Sequence, residues 1–443
     1  MKNKLSYGQI ILLGFVAVIL TGTLLLCLPI SSQNGQSVGF VDALFTSASA
    51  TCVTGLVAVD TGTHWTLFGQ LVILAMIQVG GLGFVAFSAL FSMMLHKKIS
   101  LGRRELMQQS IGGNQVGGIV RVFRLAIFGT LIIEGVGALL LMVRFVPQYG
   151  AVGVWYGIFH SISAFCNAGF DLFGREITPF TSLTSYANDP YVCFVIMALI
   201  VVGGLGFFVW EDIKTKGFAF HKYRLHSKLV LSFTAFLLVA PAVLFYLWEQ
   251  NGALASLSGF DRVVGALFQS VTCRTAGFNT VDMAALSDQS VMLSAVLMFI
   301  GGSSGSTAGG IKTTTMLVSL LAVVSMLFKR SSITVFGRRL EKGLLVQAHS
   351  IIFVYMAAVV GGVTALCCLE PCSIRDALFE VTSAVATVGL TTGITQSLGV
   401  CSKLLLAVLM LFGRVGGLSM VMALTGALKS PPVEYPEEKI SVG

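Results

Sequence analysis

Long, almost uncharged apolar runs recur along the chain, at residues 8–30, 67–95, 122–143, 190–210, 229–248, 288–328, 343–369 and 403–428. A helix needs about 20 apolar residues to cross the hydrocarbon core, and all eight runs reach that length. The sixth is overlong and is broken by glycines at its middle. Within each successive pair of runs lies a shorter, half-polar stretch ending in small residues and glycine. Such a stretch is too short to span and reads as a re-entrant pore helix followed by a loop. The pattern predicts an all-α polytopic membrane protein. The first run, Gly8 to Ile30, is full length and lacks a small-residue cleavage end, so a short cleavable signal is not expected.

Composition agrees. The 443 residues are 55% hydrophobic and 11% charged, with a mean hydropathy of +0.87. A soluble domain carries about a quarter charged residues. The 49 glycines follow no collagen period. Nine cysteines are scattered without paired CxxC spacing, so neither a zinc site nor a disulfide framework is indicated. A Cys368–Cys372 disulfide is the one pairing left open, and it is disfavoured.

Charge sets an expected orientation. With the N-terminus inside and span-end charges assigned to the nearer side, the inner segments hold 20 Lys and Arg against 7 acids, and the outer segments 6 against 12. Basic clusters at Lys97–Arg104, Lys214–Lys228 and Lys329–Lys342 follow the second, fourth and sixth runs. That is the positive-inside pattern, with both termini cytoplasmic. The net charge of +8 therefore reports topology. It implies attraction to anionic membrane lipid and no nucleic-acid partner. The acidic outer face would concentrate cations at a mouth.

The half-polar stretches can be laid over one another: DALFTSASATCVTGL from Asp42, IFHSISAFCNAGFDLF from Ile158, ALFQSVTCRTAGFNT from Ala266 and DALFEVTSAVATVGLTTG from Asp376. In every copy a phenylalanine stands nine or ten residues before a glycine. Those glycines, Gly55, Gly169, Gly277 and Gly389, are 114, 108 and 112 residues apart. A period near 110 predicts four parallel M1–P–M2 repeats, with eight spans and four re-entrant pore helices around one central pore. Their expected extents are 1–95 (pore helix and filter about 40–56), 96–213 (filter about 166–170), 214–330 (filter about 274–278, loop about 301–311) and 331–430 (filter about 386–390), followed by a polar tail at 431–443.

The physics points to a cation pore. A short helix aimed inward puts the negative end of its dipole at the membrane centre. The backbone carbonyls that follow can replace the hydration shell of a monovalent cation. Candidate filter residues are Val53, Thr54 and Gly55; Asn167, Ala168 and Gly169; Thr275, Ala276 and Gly277; and Thr387, Val388 and Gly389. Glycine permits torsions that a residue with Cβ resists. Apolar helices are also glycine-rich at ordinary packing contacts, but four copies in register, each ahead of a second span, argue against that account alone.

The glycine-rich break in the sixth run comprises Gly301, Gly302, Ser303, Ser304, Gly305, Ser306, Thr307, Ala308, Gly309 and Gly310. It superficially matches a phosphate-binding loop, but Ile311 separates Gly310 from Lys312 and no strand precedes it. Non-helical backbone at that depth must be shielded by protein or line water, so the segment is expected as a pore-facing gate just inside the filter, with a helix kink as the alternative. Glu134, Lys312 and Arg414 are ionisable groups within spans and functional candidates by default. Lys312 could snorkel or cap carbonyls, and Glu134 could pair with a neighbouring helix. Arg414, flanked by Gly413 and Gly416, is the best candidate for control of the pore. His160 is expected as a polar packing residue, and Trp65, Trp155, Trp248, Tyr149 and Tyr156 as an interfacial aromatic belt. No HExxH, GxSxG or paired His/Asp cluster suggests an enzyme.

At ATCVTGL, SAFCNAGF, RTAGFN, TVGLTTG, GGSSGSTAGGIKTT and FGRVGG, from about Tyr7 to Gly443, the chain resembles the membrane subunit (B) of Ktr-type potassium uptake systems, in the Trk/Ktr/HKT superfamily of cation transporters. Trk-type relatives carry an additional N-terminal helix pair, whereas here the first repeat begins almost at Met1. The resemblance implies a potassium-translocating subunit of the bacterial inner membrane, assembled as a homodimer on a cytosolic nucleotide-binding ring that controls opening. Glycine in all four filters goes with potassium preference in this family, and serine in the first with sodium transport; Gly55 therefore implies potassium. Cys52, Cys166 and Cys273 depart from residues common beside these filters. No cofactor is implied beyond potassium as substrate, with sodium open as an activator. A sodium-preferring or poorly selective transporter is the alternative. The tail PPVEYPEEKISVG is expected to be disordered or, by the resemblance, to pack at a dimer interface.

Overall fold

The computed structural model describes residues 6–83, 85, 101–110, 118–330, 332–341, 343–417, 419–421 and 438. The 431–443 tail, apart from Glu438, and most of the Lys97–Arg104 cluster's surroundings lie outside the described residues. Helix makes up almost all of the architecture. The strands among the described residues are Thr334–Val335 and Arg338–Arg339, an antiparallel hairpin.

Among the described residues, four helices are long and apolar enough to cross a membrane: Tyr7–Leu26, Ile119–Tyr149, Leu225–Glu249 and Gly343–Leu369. Ile132, Leu139, Val143 and Phe353 stand exposed on them, a surface suited to acyl chains. The chain is a multi-pass membrane protein. Each long helix is followed by a short one, Phe40–Cys52, Val152–Phe165, Gly259–Thr272 and Ile374–Ala386. These run 13 or 14 residues, about 20 Å, which is too short to span. The phenylalanines on them, Phe45, Phe159, Phe268 and Phe379, are fully buried.

A second apolar helix follows in each case: Leu67–Leu82, Pro190–Gly204, Asp288–Phe299 and Val400–Val415. Here the structure departs from the sequence pattern, which predicted a break only in the sixth run. All four are interrupted. Gly83, Gly206 and Gly416 take φ of 86°, 91° and 93° at equivalent places, and the third helix gives way to the stretch between Phe299 and Thr313. Positive φ ends a helix at little cost only in glycine. After Gly206 the chain continues as Phe207–Lys216 at 95° to the helix before it.

Packing closes these elements into a cycle. Leu67–Leu82 packs on Val152–Phe165, Pro190–Gly204 on Gly259–Thr272, Asp288–Phe299 on Ile374–Ala386, and Val400–Val415 on Phe40–Cys52. The last contact joins chain positions more than 340 residues apart. At the rim, Lys403 Nζ reaches the Asp42 carboxylate at 2.7 Å across the same junction. Inside, glycines allow the close approach: a Cβ on Gly80, Gly203 or Gly413 would run into the carbonyl of Thr51, Phe165 or Val385, respectively.

The aromatic belt is corrected in part. Trp248 is exposed, but Trp65 and Tyr156 are buried. Trp65 sits in a bridge to Ser32, and the Tyr156 hydroxyl donates to Glu176 at 2.6 Å. His160 is a packing residue, as expected. Its Nδ1 lies 2.7 Å from the Tyr156 carbonyl, its Nε2 accepts from the Leu172 N–H at 3.3 Å, and its ring stacks on Phe173 at 4.3 Å. All nine cysteines are free thiols, Cys368 and Cys372 included.

Candidate functional site

Each short helix ends in the same local turn. Val53, Asn167, Thr275 and Thr387 take left-handed φ of 57°, 60°, 67° and 53°, and two residues later Gly55, Gly169, Gly277 and Gly389 take 96°, 70°, 83° and 95°. The residue between has negative φ, so handedness alternates and successive carbonyls turn the same way. A non-glycine residue in the left-handed region costs about 1–2 kcal/mol. Hydrogen bonds back to the helix offset it: Thr54 N–H to Ser49 O at 2.8 Å, Ala168 N–H to Ser163 O at 2.8 Å, Ala276 N–H to Thr272 O at 3.0 Å, and Val388 N–H to Ser383 O at 2.8 Å.

A hydroxyl braces every copy. Ser49 and Ser383 Oγ accept the N–H of Gly55 and Gly389 at 3.0 Å each. Ser163 Oγ donates to the Phe170 carbonyl at 2.7 Å, and Thr272 Oγ1 to the Phe278 carbonyl. Sequence reasoning passed over these four residues. The available signal was a hydroxyl residue five or six positions before each glycine.

The four glycines close into a ring. A Cβ on Gly55 would lie 2.5 Å from the Ala168 carbonyl oxygen, and one on Gly169 would lie 2.8 Å from that of Ala276. One on Gly277 would strike the Val388 carbonyl, and one on Gly389 the Thr54 carbonyl. In each case the obstructing oxygen belongs to the residue just before the next glycine. The four repeats therefore meet as Gly55, Gly169, Gly277, Gly389 and back to Gly55, and every candidate filter side chain is buried. A ring of backbone carbonyls at this depth can replace a cation's hydration shell.

Beneath the ring lies the stretch Gly301–Gly310. It is a returning loop, with Ile300 and Ile311 bridged in parallel, so the kinked-helix alternative falls away. Ser303 N–H donates to Gly204 O at 3.0 Å and Phe207 N–H to Gly305 O at 2.7 Å. Hydroxyl pairs Ser303–Thr313 and Ser304–Thr314, each at 3.0 Å, hold its two limbs, and Ser306 Oγ bonds the Ser303 carbonyl at 2.7 Å. A Cβ on Gly302 would meet Ala308, and one on Gly309 would meet Thr387 of the fourth candidate filter segment. Gly310 has φ of 65°.

Arg414 closes the underside. Its Nη1 donates to the Thr307 carbonyl, and its Nη2 to the carbonyls of Gly80 and Gly81. Lys312 Nζ donates to Ala308 O at 2.7 Å, so it caps the loop. Glu134 stands apart from Arg414. It accepts from Gln78 Nε2 at 3.0 Å and from Cys166 Sγ at 3.7 Å, tying three helices behind the second candidate filter segment. Arg274, next to Thr275 of the third candidate filter segment, is a further buried cation and makes no ion pair among the described residues. It faces a small cavity shared with Gly204, Leu238 and Gly302. Its position inside RTAGFN gave no sign of burial.

Comparison with known proteins follows the same lines. The sequence is 39% identical to the potassium/sodium uptake protein NtpJ of Enterococcus hirae, covering 100% of this chain and 98% of that one. It is 39% identical to the Ktr system potassium uptake protein B of Bacillus subtilis, over 98% and 96% of the two chains, and 37% identical to its Vibrio alginolyticus counterpart, over 100% and 96%. The crystal structure of the potassium transporter TrkH from Vibrio parahaemolyticus shares the fold, with a TM-score of 0.75 at 20% identity over 96% of this chain and 86% of that one. The family model for TrkH, cation transport protein, matches residues 8–434. The chain belongs to the TrkH family of cation transport proteins.

Proposed function

We propose that this chain is the translocating subunit of a potassium uptake system, with one pore per chain. The observation that carries this is the closed ring in which each glycine abuts the carbonyl preceding the next, from Thr54, Ala168, Ala276 and Val388. Potassium preference rests on glycine, rather than serine, at position 55, and agrees with the names of the Bacillus and Vibrio potassium uptake proteins. The loop Gly301–Gly310, with Lys312 and Arg414, acts as the gate under that filter. The charge distribution supports both termini facing the cytoplasm of a bacterial inner membrane. By analogy with Ktr systems, the chain works as a homodimer on a cytosolic nucleotide-binding ring that opens the gate.

Potassium and sodium flux into liposomes holding the purified chain tests the reading. Potassium should pass faster, with sodium competing weakly. Equal rates with no mutual block overturn the selectivity. A second reading, sodium transport or dual transport with sodium as activator, is favoured by the potassium/sodium name of the Enterococcus relative. It predicts a sodium flux or a sodium requirement in the same assay.

A further inference from the structure

Away from the ring, at the start of the Leu225–Glu249 helix, lies a cavity of about 360 Å³ lined by His221, Lys222, Tyr223, Lys228, Phe336 and Arg338. We propose that it is a binding site for the phosphate group of an anionic phospholipid. The chemistry is that of a phosphate cradle. Three cationic side chains converge, Lys222 from the turn before the helix, Lys228 from its first turn and Arg338 from the Thr334–Arg339 hairpin. Lys228 Nζ is positioned by the His221 carbonyl at 2.8 Å and stands 5.8 Å from the centre of the Phe336 ring, leaving N–H groups to donate. Lys222 and Arg338 have no ion pair among the described residues. Nearby cations are already neutralised: Lys216 pairs with Asp212 at 2.7 Å and Arg224 with Glu211 at 2.9 Å. At the helix start the Arg224 N–H donates to the Asp212 carboxylate at 3.0 Å, so the positive potential of the cavity comes from its side chains.

Two observations select a lipid over a free anion. The helix has 25 residues, about 37 Å against a hydrocarbon core of about 30 Å, so its first turn lies at headgroup level. In the chain segments that lead into the lining residues, Phe218 is 96% and Met326 82% exposed, with Leu327 and Phe328 also uncovered. These apolar groups would contribute nothing to a soluble phosphate and suit the glycerol and upper acyl region of a phospholipid.

The test uses the full chain in detergent, with phosphatidylglycerol, phosphatidylcholine or inorganic phosphate added. Native mass spectrometry counts retained lipid, and thermal unfolding reports protection. The wild type should retain phosphatidylglycerol over phosphatidylcholine and gain thermal stability from it, with inorganic phosphate neither protecting nor displacing it. K222Q/K228Q/R338Q should retain at least about tenfold less. R121Q/R124Q/K214Q, which removes equal charge from other exposed positions, should retain it normally. R338Q alone, on the hairpin, keeps the test alive if the triple variant misfolds, and should lose several-fold. Equal loss in the two triple variants, or unchanged retention in R338Q, overturns the site. Protection by inorganic phosphate equal to that by lipid overturns the lipid assignment.

Discussion

Arg414 and Thr307 are joined by a hydrogen bond from guanidinium to carbonyl that links the fourth repeat to the loop of the third, across 107 residues of sequence. Thr307 is held from the other side as well. Its N–H donates to Gly203 O at 3.3 Å and its hydroxyl to Phe165 O at 3.1 Å. Because Arg414 also bonds Gly80 and Gly81, all four repeats meet at this one contact, directly under the glycine ring.

The first prediction concerns that contact. A fixed guanidinium repels a passing cation by several kcal/mol at an effective dielectric of about 20 and a few ångströms. If the contact is a gate, R414A should raise potassium leak in liposomes by at least about tenfold without any cytosolic partner. Shortening Ser303–Gly309 should do the same. If Arg414 only ties the repeats together, both changes lower flux, and loss of flux in monodisperse, well-folded R414A refutes the gate.

The ring makes a second prediction. G55S puts a Cβ within 2.5 Å of the Ala168 oxygen and onto a backbone with φ of 96°, so carbonyl geometry must shift. Potassium preference over sodium should fall by about tenfold, equivalent to about 1.4 kcal/mol. G39S, at φ of 88° but with nothing within 4 Å of its Cβ, carries similar backbone strain without touching the ring and should leave preference unchanged. Ion competition assays on the two variants decide between ring and strain.

Ser49 and Ser383 supply a third. Removing either hydroxyl leaves a buried glycine N–H without its partner, at a cost of about 1–3 kcal/mol. S49A and S383A should each lower the thermal midpoint and weaken ion discrimination, while S37A, at an exposed loop, should do neither. Unfolding curves combined with flux ratios provide the check, and unaltered selectivity in a destabilised S49A would confine the hydroxyl to a folding role.

Orientation gives the fourth. The loop carrying Asp60, expected outside, is a poor labelling site, because Asp60 is buried and accepts from Thr63 N and Phe180 N at 2.8 Å each. Asn34 is exposed on that side of the ring. In a background lacking the exposed Cys368 and Cys401, N34C should react with an impermeant thiol reagent added outside intact cells, and R338C only after permeabilisation. Reversed labelling would invert the pore.

Much of the site was legible along the chain. The four glycines, the phenylalanines ahead of them and the break at Gly301–Gly310 show as local patterns, because a turn with positive φ and a membrane-depth break each demand particular residue types in a short window. The interruptions at Gly83, Gly206 and Gly416 were not legible. Each lies in an apolar run whose composition is that of an unbroken span, and hydropathy carries no torsional information. Trp65 and Tyr156 misled for a related reason, since a position near a span end does not reveal whether a side chain faces lipid or protein.

By itself, then, the sequence determined that this is a helical membrane protein of four similar units and which backbone in each unit can turn its carbonyls inward. Tertiary structure alone decided that the units close as a cycle, with Gly389 against Thr54, that Arg414 chooses Thr307, Gly80 and Gly81 over Glu134, and that Lys312 caps the loop. The physical reason is range. Hydrophobicity and glycine torsions act within one helix or turn, whereas a guanidinium buried among carbonyls takes whichever acceptors packing brings to it. Those of Arg414 lie 107, 333 and 334 residues away.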